Sequence, residues 1–365
     1  MIRKIFAWLL FPLTIWYPVG TSIRNLLFDW GLKEEKSHGV TTIGVGNLST
    51  GGTGKTPHVE YLLGLLKDKY SVAMLSRGYK RRTKGFVEAT ENSTACDVGD
   101  EPLQIARKFP DVRVAVCEKR NDGVVKLMDS ANPPQVIILD DVFQHRYIKP
   151  AINILLTEFG KPFFRDMTLP FGNLREPRRG SRRADMVIVT KVPPETSPAE
   201  IRSFADRMKV KNCPKIFFSG FEYGTPVALN ERDFAFDFSG ITDILLFTGI
   251  ANPQPLFEHL SSRSNTRLLQ FPDHHDFVRL DVELIEKEFA SLKSVSKAIF
   301  TTEKDAARLL GNPLYAGISH LPVFYLPVTV KIFSPDCADF DELVKQEVLE
   351  NMKYLTDNIG KSRKN

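Results

Sequence analysis

A lysine and a threonine stand at the end of a glycine-rich stretch, in a pattern that suits the binding of nucleotide phosphates. Residues 46–56 read Gly-Asn-Leu-Ser-Thr-Gly-Gly-Thr-Gly-Lys-Thr. Glycines let backbone N–H groups turn towards phosphate oxygens, and the N-terminus of a following helix adds partial positive charge. In such a loop we expect Lys55 to reach the β- and γ-phosphates of ATP and the Thr56 hydroxyl to bind Mg²⁺.

The segment predicted to contact the phosphates comprises Ser49, Thr50, Gly51, Gly52, Thr53, Gly54, Lys55 and Thr56. Ser49 stands where the usual pattern has a glycine, so the loop is a variant. A glycine-rich turn before an ordinary helix would have a similar composition. However, the apolar run 41–45 and the helix-like stretch 58–67 are the flanking elements that a P-loop requires, and they favour the phosphate-binding interpretation.

Two adjacent carboxylates, Asp140 and Asp141, follow the apolar run 136–139. A P-loop enzyme places a magnesium-directed carboxylate at the end of such a strand. Acidic pairs are also common in turns, but the glycine-rich loop upstream favours a metal role for this pair. Gln144 and His145 follow closely and add a hydrogen-bonding pair to the same loop.

A second polar loop, 172–177, contains Arg175 and Glu176. Arg175 is a candidate for stabilising charge on the transferring phosphoryl group, and Glu176 is a candidate metal ligand. The alternative is a surface loop with an ordinary salt bridge. Asp100 begins a predicted helix after Gly99, where an aspartate is often only an N-cap.

Two adjacent histidines, His274 and His275, lie in the segment 271–276, which also contains two aspartates. Neighbouring side chains on an extended segment point in opposite directions, so the pair is a poor metal site. A histidine that handles a proton is the favoured interpretation.

The composition is that of a globular protein with a mild excess of positive charge. The 365 residues are 42% hydrophobic and 25% charged, with a net charge of +5, and their number favours two domains. The charge suits phosphate-rich ligands or an anionic membrane, and no nucleic-acid-binding motif is present. The four cysteines form no CxxC pair, which argues against a zinc site or a disulfide framework and favours a reduced, cytoplasmic compartment.

The N-terminal segment 5–23 contains no charged residue and is rich in Trp, Tyr and aliphatic side chains. A signal peptide fits the preceding Arg3 and Lys4, but the segment lacks a small-x-small cleavage site. A buried helix is a second alternative. We favour a membrane-dipping or membrane-spanning anchor because Trp and Tyr suit the interface, although Pro12 and Pro18 would kink a helix.

Apolar runs alternate with helix-like stretches along the chain, which predicts a mostly parallel sheet with helices on both faces. The predicted strands before residue 219 are 41–45, 72–76, 112–117, 136–139, 151–157 and 186–192, and the predicted helices are 58–67, 100–108 and 118–128. Ligands of such sheets bind at the carboxyl ends of the strands.

A second unit is predicted because residues 221–237 break the alternation, which then resumes. The later strands are predicted at 244–248, 268–271, 298–301 and 323–330, and the later helices at 282–292, from Pro255 onwards, and at 341–352. We therefore divide the chain into an N-terminal membrane-associated segment (1–30), a P-loop core (31–219), a linker (220–240) and a C-terminal lobe (241–355). The cleft between the two lobes is the expected active site.

Several short motifs, each weak alone, occur in an order by which the chain resembles the tetraacyldisaccharide 4'-kinases, the lipid A kinases of Gram-negative bacteria. The motifs are Val45-Gly46-Asn47-Leu48, residues 51–57, Leu75-Ser76-Arg77-Gly78-Tyr79, residues 99–102, residues 140–145, residues 174–177, residues 247–253, residues 271–275 and residues 302–306. The resemblance spans nearly the whole chain.

The resemblance implies that ATP, with Mg²⁺, phosphorylates the 4'-hydroxyl of a tetraacylated glucosamine disaccharide 1-phosphate to form lipid IVA. It implies a P-loop NTPase-type α/β/α lobe, a second, smaller α/β/α lobe that closes on ATP, and an irregular or β linker. The expected partners are the acylated disaccharide lipid and the inner-membrane surface, with the lobes on the cytoplasmic face. Neither nucleic acid nor an obligate protein partner is expected.

The resemblance also implies roles for single residues. It places Asp100 beside the γ-phosphate as the base for the attacking hydroxyl, with His274 orienting it from the second lobe and His275 as the runner-up. Arg77, Tyr79, Gln144 and His145 are the candidate substrate contacts.

Two residues depart from the family pattern, and both replace a usual glycine. Lys80 adds positive charge near the expected substrate region. Val142 would resist a positive φ, so the loop after the Asp pair is expected to differ slightly.

The main alternative function is a membrane-attached P-loop ATPase or GTPase switch, and a non-enzymatic nucleotide-binding module is a further one. A GTPase switch should contain an Asn-Lys-x-Asp motif, which residues 190–193 match only in part. A kinase should need its lipid acceptor for rapid ATP turnover, whereas a switch should not.

Overall fold

The computed structural model describes residues 11–208, 215–229, 240–273, 275–310, 313–335 and 338–362. Its strands are β1 (Thr41–Asn47), β2 (Val72–Ser76), β3 (Val87–Glu88), β4 (Arg113–Val116), β5 (Val136–Asp140), β6 (Ile152–Glu158), β7 (Met186–Thr190), β8 (Lys215–Tyr223), β9 (Val227–Ala228), β10 (Asp243–Thr248), β11 (Asn265–Gln270), β12 (Lys297–Thr302), β13 (Val323–Leu326) and β14 (Val328–Phe333).

Ten α-helices occur within these described ranges. They are α1 (Phe11–Asp29), α2 (Lys55–Leu66), α3 (Ala95–Val98), α4 (Asp100–Lys108), α5 (Arg120–Met128), α6 (Pro198–Met208), α7 (Gln254–Ser261), α8 (Arg279–Ser291), α9 (Glu303–Leu310) and α10 (Phe340–Ser362). Short 3₁₀ helices span Phe163–Arg165, Arg178–Arg183 and Pro313–Gly317.

The larger sheet has nine strands in the order β14-β8-β7-β6-β1-β5-β2-β4-β3. Its strands are parallel except at the two edges, where β14 and β3 run antiparallel to their neighbours. Every residue of β1, β2 and β5 is buried, as expected for central strands with helices on both faces. One face packs against α2, α4 and α10, and the other against α5 and α6. The predicted parallel α/β sheet is confirmed.

The smaller sheet has five strands in the order β11-β10-β12-β13-β9. Its first four strands are parallel, and only the short β9 runs antiparallel. Helix α7 covers one face through Leu256 and Leu260, and α8 covers the other through Ile285 and Phe289. The structure therefore has a larger and a smaller α/β/α lobe, as the sequence predicts.

The chain crosses between the lobes twice. It leaves the larger sheet after β8 and returns at Pro327, which separates β13 from β14. The sequence analysis predicts one strand over 323–330, whereas the structure has two strands in different sheets. Pro327 has no N–H to donate to a β-ladder, so a continuous strand is disfavoured there.

The C-terminal elements return to the larger lobe. Strand β14 pairs with β8, and α10 buries Phe340, Val344 and Val348 in the core beneath β1 and β6. Residues 328–355, which the sequence analysis groups with the second lobe, therefore pack with the first. Hydrophobic patterning could not reveal this because both lobes alternate strands and helices. Part of the predicted linker, 230–239, lies outside the described residues.

Helix α1 packs on the larger lobe through the buried Asn25 and Phe28 and contains Pro18 within its length. The first ten residues of the chain lie outside the described ranges. Among the helices that the structure does describe, none combines the length and apolar character that crossing a membrane requires.

Candidate active site

The glycine-rich loop leaves β1 and enters α2 at the carboxyl edge of the larger sheet. Gly54 caps α2 with φ of +84°, and a Cβ at this residue would lie 2.8 Å from the Phe221 ring. Both the backbone conformation and this close approach require glycine. Asn47 donates a 2.9 Å hydrogen bond from Nδ2 to Thr53 Oγ1 and so ties the loop to the end of β1.

Lys55, Asp141 and Arg175 converge at this edge from three separate segments. Lys55 Nζ lies 3.6 Å from Asp141 Oδ1, and Arg175 Nη1 donates to both oxygens of the Asp141 carboxylate at 3.2 Å. Strands β1 and β5 are adjacent, with Val45 opposite Asp140, so the sheet itself brings the two motifs together. Thr56 follows Lys55 in the first turn of α2.

The two aspartates have opposite electrostatic environments. Burial raises the pKa of Asp140 to about 6, and the neighbouring Asp141 charge adds to this effect. Burial alone would also raise the pKa of Asp141, but the cations of Lys55 and Arg175 outweigh it and hold the pKa below its usual value. Asp141 is therefore the better-stabilised anion of the pair.

Asp140 has an oxygen that can accept a further partner. Ser76 Oγ donates a 3.1 Å hydrogen bond to Asp140 Oδ2, whereas Asp140 Oδ1 is buried without a hydrogen bond to any described residue. An orphaned buried carboxylate oxygen beside a second carboxylate is a chemically suitable ligand for a hard divalent cation.

The turn after β5 does not require a positive φ at Val142. Asp141, not Val142, adopts the left-handed conformation, with φ of +48°, and aspartate tolerates this conformation better than valine. Val142 is buried instead, and its Cγ1 lies 2.8 Å from where a Cβ on Gly44 would be. Lys80, the second departure from the family pattern, does adopt the left-handed conformation that its usual glycine would allow, with φ of +61°.

Glu176 is buried in a hydrogen-bond network that joins α1 to the site. It accepts hydrogen bonds from Asn25 Nδ2 at 2.8 Å, Gln144 Nε2 at 3.1 Å and Arg183 Nη2 at 2.7 Å. These contacts use both carboxylate oxygens and favour a role in positioning the loop. A metal role for Glu176 stays a prediction.

The candidate substrate contacts lie near a group of cations. Burial lowers the pKa of His145 to about 4, and the charges of Arg120, Arg24 and Arg77 lower it further, so the imidazole is neutral at physiological pH. Gln144 Oε1 accepts a 3.4 Å hydrogen bond from Arg175, and Tyr79 is largely exposed. The region suits an anionic or hydroxyl-rich ligand.

Arg120 is a site residue that the sequence analysis missed. It is 2% exposed at the start of α5 and donates hydrogen bonds from its guanidinium to the Asp140 carbonyl at 3.1 Å and the Cys117 carbonyl at 3.0 Å. Its position in the first turn after a strand was the available signal. Its burial under the Asp pair is a tertiary contact that periodicity does not reveal.

Asp100 is held by the smaller lobe. Gly99 is the N-cap of α4, so Asp100 is its first helical residue and not the cap. Arg308 of α9 donates from Nη2 to Asp100 Oδ2 at 2.5 Å, and its Nη1 donates to Asp305 Oδ1 at 2.9 Å. Asp305 is fully buried and also accepts hydrogen bonds from Thr248 and from the Gly249 N–H.

Further contacts join α4 to α9 along the boundary between the lobes. Lys304 pairs with Glu101 at 2.8 Å, Lys108 pairs with Glu303 at 3.0 Å, and Arg107 donates to the Ala307 carbonyl. Lys108 also pairs with the buried Glu60 of α2 at 2.7 Å. We call this set of contacts the α4–α9 boundary.

Of the two histidines considered as partners of Asp100, the structure describes only His275. His274 lies outside the described residues. His275 is anchored within the smaller lobe, where its Nε2 lies 2.8 Å from Asp281 Oδ2 and its ring stacks on Phe271. The pairing of Asp100 with His274 stays a prediction.

Comparisons with known proteins show the family to which the chain belongs. Residues 6–349 match the family described as tetraacyldisaccharide-1-P 4'-kinase. A tetraacyldisaccharide 4'-kinase of Bacteroides thetaiotaomicron is 43% identical over 362 residues, covering 96% of this chain and 95% of the relative. One of Flavobacterium johnsoniae is 43% identical over 354 residues, covering 97% of this chain and 99% of the relative.

Among solved structures, LpxK from Aquifex aeolicus, described as an "apo" form in complex with ATP, aligns with a TM-score of 0.71. It is 29% identical in sequence and is matched over 96% of this chain and 100% of its own.

Proposed function

Because this chain belongs to the tetraacyldisaccharide-1-P 4'-kinase family, we propose that its site phosphorylates a lipid-linked sugar. ATP donates its γ-phosphoryl group to the 4'-hydroxyl of a tetraacylated glucosamine disaccharide 1-phosphate, which yields lipid IVA. The observation that carries this function is the convergence of Lys55, Asp141 and Arg175 beside the glycine-rich loop. Phosphoryl transfer needs this kind of positioned charge more than it needs covalent chemistry from the protein.

The phosphates of ATP would lie on the loop amides and the N-terminus of α2, with Lys55 against the β- and γ-phosphates. Thr56 with Asp140 or Asp141 would hold Mg²⁺, which when bound neutralises charge on the phosphates. The orphaned Asp140 Oδ1 supports this assignment. Arg175, already beside Asp141, would stabilise charge on the group in transfer.

Asp100 would accept the proton of the attacking hydroxyl, oriented by His274 when the lobes close. Its ion pair with Arg308 supports this role because a movement of the smaller lobe would change the surroundings of the Asp100 carboxylate. Arg77, Tyr79, Gln144 and His145 would contact the disaccharide.

The acyl chains of the substrate would stay in the inner membrane, with both lobes on its cytoplasmic face. The apolar segment 5–23 supports this location, and the chemistry supports it too, because ATP is a cytoplasmic metabolite.

The decisive experiment measures transfer of the γ-phosphoryl group from labelled ATP to the purified disaccharide lipid, and ATP hydrolysis with and without that lipid. We expect a phosphorylated lipid and ATP turnover that depends strongly on the acceptor. Rapid hydrolysis without the lipid and no labelled lipid would instead indicate the switch ATPase.

A further inference from the structure

An ordered loop, residues 166–174, displays apolar side chains to solvent next to the glycine-rich loop. Its backbone closes on itself through hydrogen bonds from Leu169 N to Leu174 O and from Leu174 N to Met167 O, both at 2.9 Å. The Asp166 carboxylate accepts a further hydrogen bond from the Met167 N–H at 2.8 Å. Met167 and Phe171 are nevertheless 58% and 59% exposed. The loop is thus built to hold these side chains outward, since its own hydrogen bonds fix its shape.

Exposed arginines precede and follow these apolar residues in the sequence. The exposed arginines of the segment are Arg165, Arg178, Arg179 and Arg182. Arg178 Nε donates to the Asp166 carbonyl at 2.8 Å, which places this arginine directly beside the loop. The only two acidic residues in 161–183 are Asp166 and Glu176, and both use their carboxylates in internal hydrogen bonds. The exposed charge of this surface is therefore positive.

The same surface continues onto helix α1. Arg179 donates to the Ser22 carbonyl at 3.2 Å, and the Tyr17 hydroxyl donates to the Arg175 carbonyl at 3.0 Å. Val19 and Ile23 of α1 are also exposed. Hydrogen bonds therefore join α1, which displays apolar side chains of its own, to the arginine-rich segment that follows the 166–174 loop.

We propose that residues 165–182, here called the arginine-bordered surface, are a second membrane contact that rests on a bilayer containing anionic lipid. The proposal rests on the proposed function but assigns membrane contact to a segment that is distant in sequence from the apolar N-terminus. Apolar side chains enter the acyl boundary and arginines bind anionic headgroups, which is the chemistry of interfacial docking. The positive charge of the exposed side chains and the hydrogen bonds to α1 favour a lipid surface over a protein partner.

This contact would fix the height of the phosphate-binding loop above the membrane. On its inner side, Asn173 accepts hydrogen bonds through its carbonyl from Thr50 N at 2.7 Å and Thr50 Oγ1 at 3.2 Å. Arg175 N donates to the Leu48 carbonyl at 2.7 Å. The same short segment therefore joins the proposed membrane contact to the glycine-rich loop.

The first test measures co-sedimentation of the full chain with phosphatidylethanolamine vesicles that contain, or lack, phosphatidylglycerol. The double variant Met167→Ser with Phe171→Ser should bind the anionic vesicles at least ~5-fold more weakly, since it loses apolar insertion. Arg165→Gln with Arg182→Gln should weaken binding only when phosphatidylglycerol is present. The matched control, Leu280→Ser with Val295→Ser, removes two exposed apolar residues of the smaller lobe and should bind normally. Normal binding by the Met167/Phe171 variant would overturn the proposal.

The second test compares activity on detergent-dispersed and vesicle-embedded substrate. The Met167/Phe171 variant should keep its activity in detergent and lose it on vesicles. Equal loss in both would mean that the residues act on the site itself, and it would overturn the membrane role. If the wild-type protein phosphorylates no lipid but the variant still loses vesicle binding, the membrane contact is supported and the proposed kinase activity is refuted.

A third measurement does not depend on removing the apolar residues. A Phe171→Trp variant should be quenched by brominated lipid in the vesicles, whereas Leu280→Trp, with the same native tryptophans, should show no added quenching. Equal quenching at the two positions would contradict the proposal.

Discussion

Lys55 lies between a carboxylate and the space where the phosphates are expected, since its Nζ is 3.6 Å from Asp141 Oδ1. Lys55→Ala should lower kcat by at least ~100-fold, because removing one preorganised charge from a transition state costs about 3–4 kcal/mol. The melting temperature should stay close to that of the wild type. Lys67→Ala, at an exposed ion pair with Asp68, is the matched control. Near-normal turnover of Lys55→Ala would refute the phosphate role.

Asp140 should be required for activity although its buried charge lowers stability. Burial raises its pKa to about 6, so the folded protein holds the charged form less well than the unfolded chain does. Asp140→Asn should therefore raise the free energy of unfolding at pH 8 by roughly 1–3 kcal/mol while abolishing Mg²⁺-dependent turnover. Urea unfolding and a Mg²⁺ titration of the rate would check this. A destabilised variant would show that the carboxylate is structural.

The residues of the site differ in how far sequence could predict them. Lys55, Asp141 and Arg175 could be predicted because each belongs to a motif whose chemistry follows from residue type and spacing, and the structure brings all three together. Arg120 could not, since its role depends on burial beneath Asp140. Arg308 could not either, because it reaches Asp100 across the boundary between lobes, 208 residues away in sequence.

At the scale of elements, α9 should act on the reaction through α4. Arg308→Gln removes the donor to Asp100 and should lower kcat by roughly 10-fold, about what one charge-assisted hydrogen bond is worth. If Arg308 works by holding Asp100, the same change in an Asp100→Asn background should add little further loss. Lys304→Gln, at the neighbouring pair with Glu101, is the control and should change kcat much less. Losses that multiply fully would mean that Arg308 acts independently of Asp100.

The α4–α9 boundary also contains a buried carboxyl that should make stability depend on pH. Burial raises the pKa of Glu60 from 4.5 to about 7, although Lys108 opposes this. The folded protein then binds this proton more tightly than the unfolded chain, so the contribution of Glu60 to stability is full below pH 4.5 and is lost as pH rises through about 7. Glu60→Gln should remove this fall and be more stable than wild type at pH 8 by roughly 1–3 kcal/mol. The exposed Glu91→Gln should follow the wild-type curve, and a Glu60→Gln curve that does the same would contradict the assignment.

Most helices and strands could be predicted because their periodicity and their glycine and proline boundaries agree with the fold. The stretch 323–330 is one exception, because β13 and β14 form one apolar run in sequence but belong to different sheets. Helices α6 and α9 and strand β8 are others, since no element was predicted for them. Only the pairing of β14 with β8, a contact distant in sequence, distinguishes the two strands. A single proline within an apolar run was the sole local signal.

At the scale of the whole molecule, the larger lobe is assembled from both ends of the chain. Its core contains residues from α2, near the N-terminus, and from α10, at the C-terminus. The predicted boundaries at 219 and 240 describe lobes that follow one another, and sequence reasoning favours this simpler order because neighbouring elements usually pack together. In the structure, the smaller lobe is instead inserted in the sequence between β8 and β14, which are paired neighbours in the larger sheet.

The pairing of Tyr223 with Val328 makes the smaller lobe an insertion whose two ends emerge side by side. Such an insertion can be deleted without interrupting the core of the larger lobe. Replacing residues 224–327 by an Asn-Gly turn would join β8 to β14 as an ordinary hairpin. The shortened protein should fold cooperatively by circular dichroism and bind nucleotide through the glycine-rich loop, yet transfer no phosphoryl group. An insoluble or molten product would instead mean that the larger lobe needs the smaller lobe in order to fold. A folded one would show how a phosphate-binding protein can become a kinase by acquiring a domain at a single hairpin.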